Sequence, residues 1–128
     1  IQVYVASRNA LEQIVARYRE YELFDRAFLM LKSFAQAQAV RTLCRDVQLC
    51  VGEDRDNLAK HLRFGVDFLQ PMRRHLSPGY LARARYAGIP VNVFYANEIP
   101  IMRELVRMGI PGILTDYPDR LIGLRRDL

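Results

Sequence analysis

Thr115 and Asp116 close an apolar run, residues 112–114, and lead at once into Tyr117-Pro118. An alcohol and a carboxylate at the carboxyl end of a buried strand stand where α/β proteins hold ligands. Asp116 carries two readings: it orients groups of a site, or it caps a short helix starting near Pro118. Arg73, Arg74 and His75 follow Leu69-Gln70-Pro71 in another loop after an apolar run. There they either attract an anionic head group or stay solvated. Glu53, Asp54 and Asp56 crowd the loop after Val51; they form a weak cation cluster, and an acidic bias at a helix start explains them better. His61, beside Lys60 and Arg63, reads as an exposed helix residue. Cys44 and Cys50 fit no metal spacing and are too few for a disulfide scaffold. They read as buried free thiols, which suits a reducing compartment and favours a cytoplasmic location.

Six short, β-rich apolar runs position these groups: 1–6, 27–31, 47–51, 66–69, 91–95 and 112–114. Helical periodicity fills the gaps. Leu11, Ile14, Val15 and Tyr18 recur at spacings of three and four, with Asn9 and Glu12 resembling a capping box at the start. Ser77-Pro78 reads as an N-cap with proline in the first turn, and Gly88 ends that helix. Leu81, Ala84 and Arg85 share its face, the arginine stem lying across the packing edge. Asn97 is placed to cap the next helix, whose stripe of Ile101, Leu105 and Met108 ends at Gly109; a short helix over 118–124 closes the chain.

Strands alternating with helices predict a parallel sheet, because parallel neighbours require a crossover. Apolar character on both strand faces agrees. Two architectures fit, an open doubly wound sheet and part of an eightfold barrel; the absence of any GxGxxG or GxxxxGK motif weakens the nucleotide-binding version. With 128 residues and no linker, the chain reads as a single domain, 1–128, or a piece of one. Beginning on Ile1 within a strand-like run, it reads as a fragment or a processed chain. At 51% hydrophobic and 26% charged it is not a disordered sequence. Its longest apolar run, 27–31, is far too short for a transmembrane segment. A net charge of +5 favours anionic partners, but the arginines are spread along the chain. They read as solvated helix faces, with no nucleic acid bound.

The run GIPVNVFYANEIPIMRELVRMGIPGILTDYPDRL, residues 88–121, resembles the closing portion of the glycerophosphodiester phosphodiesterases. In that family a strand of the pattern G-hydrophobic-x-V-x-V-W-T-V-N leads to a helix, and a G-V-D-G-I-I-T-D-x-P strand follows. Here those strands read GIPVNVFYAN and GIPGILTDYP. Looser matches precede them: residues 66–88 resemble the sixth strand and its loop, FLMLKSF resembles the fourth strand, and IQVYVAS falls at the third. The resemblance implies a partial (β/α)8 TIM-type barrel, strands three to eight.

It also implies a hydrolase of lipid metabolism. The family cleaves glycerophosphodiesters to glycerol 3-phosphate and an alcohol with a divalent metal, Mg or Ca. Its main metal ligands and histidines match no position of this chain and are expected upstream of Ile1. The third-strand glutamate and lysine of the family align with Tyr4 and Ala6. That loss of charge points to the alternative of a catalytically degenerate relative that binds a phosphate ligand or a protein. Lys32, at the end of FLML, is a candidate for relocated phosphate charge, against a solvent-facing strand-end lysine. Phe94 stands where the family has an aromatic lining the cleft, or packs on a helix. Asn97, Thr115 and Asp116 match motif positions, and Arg73 completes the substrate-binding candidates. The expected partner is a small phosphodiester substrate or phosphate ligand. Strand edges left by missing units would invite a homo-oligomer.

Overall fold

Three serines set the starts of three helices in the computed structural model, which describes residues 2–3 and 7–126, with side chains for 7–124. Ser7 caps α1 (Arg8–Glu20), its hydroxyl accepting from the Ala10 amide. This replaces the expected Asn9–Glu12 capping box; Glu12 instead pairs with Arg8 at 3.2 Å. Ser33 and Gln36 form a full capping box on α2 (Phe34–Leu43). Ser77 caps α4 (Pro78–Tyr86), with the proline in the first turn as expected. Hydroxyl caps satisfy amides that a helix start leaves without partners.

The chain divides into two compact units, 1–69 and 70–128. In the first, β1 (Gln2–Val3), β2 (Phe28–Leu31) and β3 (Gln48–Val51) form a parallel sheet in the order β1-β2-β3. The register pairs Leu29 with Leu49, Met30 with Cys50 and Leu31 with Val51. Leu29, Leu31, Leu49 and Val51 therefore share one face, with Met30 and Cys50 on the other. All six are buried, which explains why these runs are apolar throughout instead of alternating. On α1 the predicted stripe is observed, with Leu11, Val15 and Tyr18 buried. α3 (Leu58–Phe64) begins at Asn57 and ends at Gly65, whose φ of 81° is a left-handed turn.

The expected strand over 66–69 is not a ladder strand. It lies along β3 through Asp67, whose amide donates to the Leu49 carbonyl at 2.9 Å while its Oδ2 accepts the Leu49 amide at 2.7 Å. A side-chain carboxylate thus occupies a position that a strand carbonyl would fill. Arg41 completes the junction, donating to Asp67 Oδ2 at 2.6 Å and to the carbonyls of Arg45, Val47 and Gly65.

The second unit holds α4, β4 (Asn92–Val93), α5 (Ile99–Arg107), β5 (Gly112–Ile113) and α6 (Pro118–Arg126). β4 and β5 pair in parallel, Asn92 beside Gly112 and Val93 beside Ile113. Glycine is needed at 112 because an added Cβ would stand 1.5 Å from Asn92 Oδ1. On α5 the buried stripe is Met102 and Leu105, rotated from the expected Ile101–Leu105–Met108 face. Met108 falls at the C-cap, and its carbonyl accepts from Arg85 of α4 at 2.9 Å. That bond places the Arg85 stem at the packing edge, as its spacing predicts.

Arg85 belongs to a general pattern. Arg19 donates to the Leu43 carbonyl at the end of α2, Arg26 to Tyr21, and Arg120 to Asn97. The spread-out arginines are therefore not simply solvated faces; several hold carbonyls at helix ends and in loops.

Candidate functional site

The carboxyl ends of β4 and β5 are bound together by side chains. Leu114 donates to the Val93 carbonyl at 2.9 Å, and Ala96 returns a bond to Leu114 at 3.0 Å, so both chains leave the sheet side by side. Asn97 then meets Thr115 and Asp116. Its Oδ1 accepts from Thr115 Oγ1 at 3.1 Å and from the Asp116 amide at 2.9 Å. Its Nδ2 donates to Asp116 Oδ2 at 2.7 Å. Every polar atom of one amide side chain is engaged with the neighbouring strand's exit.

Asn97 is therefore a cross-strand tie and not the expected helix cap. The N-cap of α5 is Glu98, which makes no side-chain capping bond. Asp116 likewise lies outside the cap position of α6, since Tyr117 immediately precedes Pro118. Tyr117 donates its amide to Thr115 Oγ1 at 3.0 Å. Arg120, which sequence reasoning missed, stacks over the Tyr117 ring at 3.9 Å and donates to the Asn97 carbonyl at 3.0 Å. Its position in the first turn of a helix after Thr-Asp-x-Pro is the only local signal it gives.

Phe94 and Arg73 belong to the same unit. The Phe94 amide donates to the Pro71 carbonyl at 2.9 Å, and Met72 bridges Phe94 in parallel. The half-buried Phe94 ring meets Tyr95 edge-on at 5.4 Å, and Tyr95 is exposed. Arg73 and Arg74 line a groove of about 300 Å³ with Leu76, Glu104, Leu105 and Met108. Arg73 Nη1 lies 3.6 Å from Glu104 Oε2, with both side chains exposed. Arg74 Nε donates to His75 Nε2 at 3.2 Å. The loop is basic as expected, although Glu104 offsets part of its charge.

Lys32 lies in the first unit, directly after β2, with an exposed side chain and its amide bonded to Gln36 Oε1 at 3.0 Å. An apolar groove of about 380 Å³ between α1 and α2 is lined in part by Leu11, Ala35, Ala39 and Leu43 and contains no candidate site residue. Tyr4 and Ala6, where the third-strand carboxylate and lysine were expected, lie outside the described residues.

Two other expectations change. His61 is buried, 2% exposed, with Nδ1 3.0 Å from the Asn57 carbonyl and Nε2 3.1 Å from the Val51 carbonyl. Of the acids after Val51, Glu53 and Asp54 turn towards Lys60, which binds Glu53 Oε1 at 2.9 Å and Asp54 Oδ2 at 2.6 Å. Glu53 also accepts the Phe34 amide at 2.9 Å, and that bond followed by Lys60 holds its carboxyl below the usual range. Asp54 and then Glu53 push the Lys60 ammonium above its usual value. Among the described residues no group of three or more His, Cys, Asp or Glu could hold a metal ion. The side chains described here thus do not fit a divalent cation. Cys44 and Cys50 are free thiols; Cys50 is buried, as expected, and Cys44 is half-buried. Burial pushes the Cys50 thiol up to about 12. Among the described residues no helix is long and apolar enough to cross a membrane.

No protein-family model matches the chain, and no curated protein matches it. Solved structures do. A glycerophosphodiester phosphodiesterase from Parabacteroides distasonis superimposes with a TM-score of 0.83 at 17% identity, over 98% of this chain and 55% of that one. A protein from Silicibacter pomeroyi assigned as a glycerophosphoryl diester phosphodiesterase gives 0.79 at 22% identity, over 89% and 42%. One from Galdieria sulphuraria assigned as a glycerophosphodiester phosphodiesterase gives 0.78 at 14%, over 94% and 52%. At such identities the likeness is one of fold. The chain has part of the fold of these TIM-barrel phosphodiesterases and spans about half the length of the solved chains it matches.

Proposed function

We propose that this chain is the later portion of one glycerophosphodiesterase-like barrel, whose rim binds a phosphodiester for hydrolysis to glycerol 3-phosphate and an alcohol. The observation that carries this reading is the fold likeness to three structures of phosphodiesterase name, extending over 89% to 98% of the chain. The ties among Asn97, Thr115 and Asp116 support it, because these are the positions at which the sequence resembles the family.

In this reading Arg73 draws the phosphate towards the carboxyl ends of the second unit's strands, where Phe94 lines the cleft, and Lys32 is a separate cation at the end of β2 in the first unit. Asn97 and Asp116 fix the exits of β4 and β5 and take no part in bond cleavage. The divalent metal of such a reaction would be held by carboxylates outside the described residues. Tyr4 and Ala6 favour a second reading, a degenerate barrel that binds a phosphate ligand or a protein without hydrolysing it. Release of glycerol 3-phosphate from glycerophosphocholine by the natural full-length protein, abolished by a chelator, separates the two. No release under metal-replete conditions removes the enzymatic reading.

A further inference from the structure

The longest stretch of the chain without a carboxylate, residues 68–97, holds four arginines and one histidine. Elsewhere surface cations meet acids close by in the chain: Arg8 with Glu12, Arg17 with Glu20, Lys60 with Glu53 and Asp54. Helix α4 offers its arginines no such partner. Its buried stripe is Tyr80, Leu81 and Ala84. On the opposite side stands Tyr86, 97% exposed, with Gly79, Ala82 and Arg83 on its face at spacings of seven, four and three. Glycine and alanine leave the ring without flanking bulk. Among the described residues neither Arg83 nor Tyr86 has a side-chain partner.

Arg85 widens the basic region. Its bond to the Met108 carbonyl draws the last turn of α4 to the end of α5, where Arg107 is exposed. The carboxylate of α5, Glu104, lies 3.6 Å from Arg73 and so already faces a cation. A phenol ring can leave water while its hydroxyl stays wet, which suits the headgroup level of a bilayer. Guanidinium groups around it suit anionic headgroups. A folded acidic partner would need an apolar contact core of matching shape, and this convex helix offers a single ring. A lipid surface makes no such demand.

We propose that the outer face of α4, Tyr86 with Arg83, Arg85 and the neighbouring Arg107, docks on an anionic phospholipid surface. The contact is peripheral and chiefly electrostatic, and it does not depend on whether the protein hydrolyses a phosphodiester.

The test measures binding of the natural full-length protein to two kinds of vesicle, pure phosphatidylcholine and phosphatidylcholine with about one-third phosphatidylserine. Binding is expected to the mixed vesicles alone, and to fall as salt is raised. R83Q should weaken it about fivefold and R83Q/R107Q about 25-fold, the loss of one and two cations at the surface. R63Q, which removes an exposed arginine of the first unit, should leave it unchanged. The chain has no tryptophan, so Y86W adds a reporter to the face. Its emission, read as the difference from wild type, should move to shorter wavelength with the mixed vesicles and not with pure phosphatidylcholine. These side chains are exposed, and circular dichroism confirms that each variant is folded. Four results overturn the proposal: no binding of wild type to mixed vesicles at low salt, equal binding to pure phosphatidylcholine, wild-type binding by R83Q/R107Q, or equal weakening by R63Q and R83Q. Binding to polyglutamate without binding to vesicles marks an acidic protein as the partner and likewise overturns it.

Discussion

Replacing Asn97 tests whether the exits of β4 and β5 are held by one side chain. Asn97→Ala removes three hydrogen bonds: to Asp116 Oδ2, from Thr115 Oγ1 and from the Asp116 amide. At about 1 kcal/mol for each net hydrogen bond the gross loss is about 3 kcal/mol. Asp116 is exposed and Thr115 half-buried, so water recovers part of it, and the expected cost is about 2 kcal/mol. Asn97→Asp sharpens the test. It keeps an acceptor for Thr115 but puts a carboxylate where the amide donor stood, 2.7 Å from Asp116 Oδ2. Two carboxylates this close raise the pair's folded-state pKa values. Groups raised in this way cost stability above their unfolded values and restore it as pH falls through the carboxylate range. Urea unfolding from pH 7 to pH 4 should therefore show Asn97→Asp at least as destabilised as Asn97→Ala at neutrality, then recovering on acidification. Asn97→Ala should lack this recovery. A loss below about 0.5 kcal/mol in Asn97→Ala, or an Asn97→Asp variant as stable as wild type at pH 7, refutes the tie.

Three further outcomes follow from the first unit. Asp67→Ala strands the amide of buried Leu49 and removes the anion facing Arg41, so urea unfolding should register about 2 kcal/mol of lost stability, with partial recovery in Asp67→Asn; a loss under about 0.5 kcal/mol contradicts the junction. Glu53 has its carboxyl held low by the Phe34 amide and Lys60, so its contribution is present at neutral pH and fades as pH falls through the carboxylate range. The stability gap between wild type and Glu53→Gln should accordingly close towards pH 3, and a gap unchanged with pH counts against it. Cys44 should react with a maleimide in the native protein while Cys50, buried with its thiol pushed up to about 12, reacts only on unfolding; equal native labelling contradicts the burial.

Features encoded within a few residues were legible in the sequence. Ser77-Pro78, the stops at Gly88 and Gly109, and the α1 stripe needed no knowledge of tertiary neighbours. Parallel pairing followed from the strand–helix rhythm alone. What escaped depended on distant partners. His61 sits between Lys60 and Arg63, which suggests an exposed face, yet the Val51 carbonyl and the Phe34 ring enclose it. Asn97 stands two residues before the start of α5, close enough to suggest capping, but its partners lie 18 and 19 residues away. Asp67 stands in for a strand carbonyl, so an apolar run that reads as a strand forms no ladder of its own. Arg55 sits among acids in a loop, a setting that suggests a solvated side chain, yet its Nε folds back to donate to the Gly52 carbonyl at 3.2 Å.

The use of arginine as a main-chain fastener exposes the protein to a particular kind of damage. α-Dicarbonyl metabolites condense with guanidinium groups and leave most other side chains alone. An adduct on Arg41 would cancel one positive charge and at the same time release the carbonyls of Arg45, Val47 and Gly65. One on Arg85 would release the end of α5. Glycation of this chain should therefore register as loosened helix ends, not merely as a shift in isoelectric point.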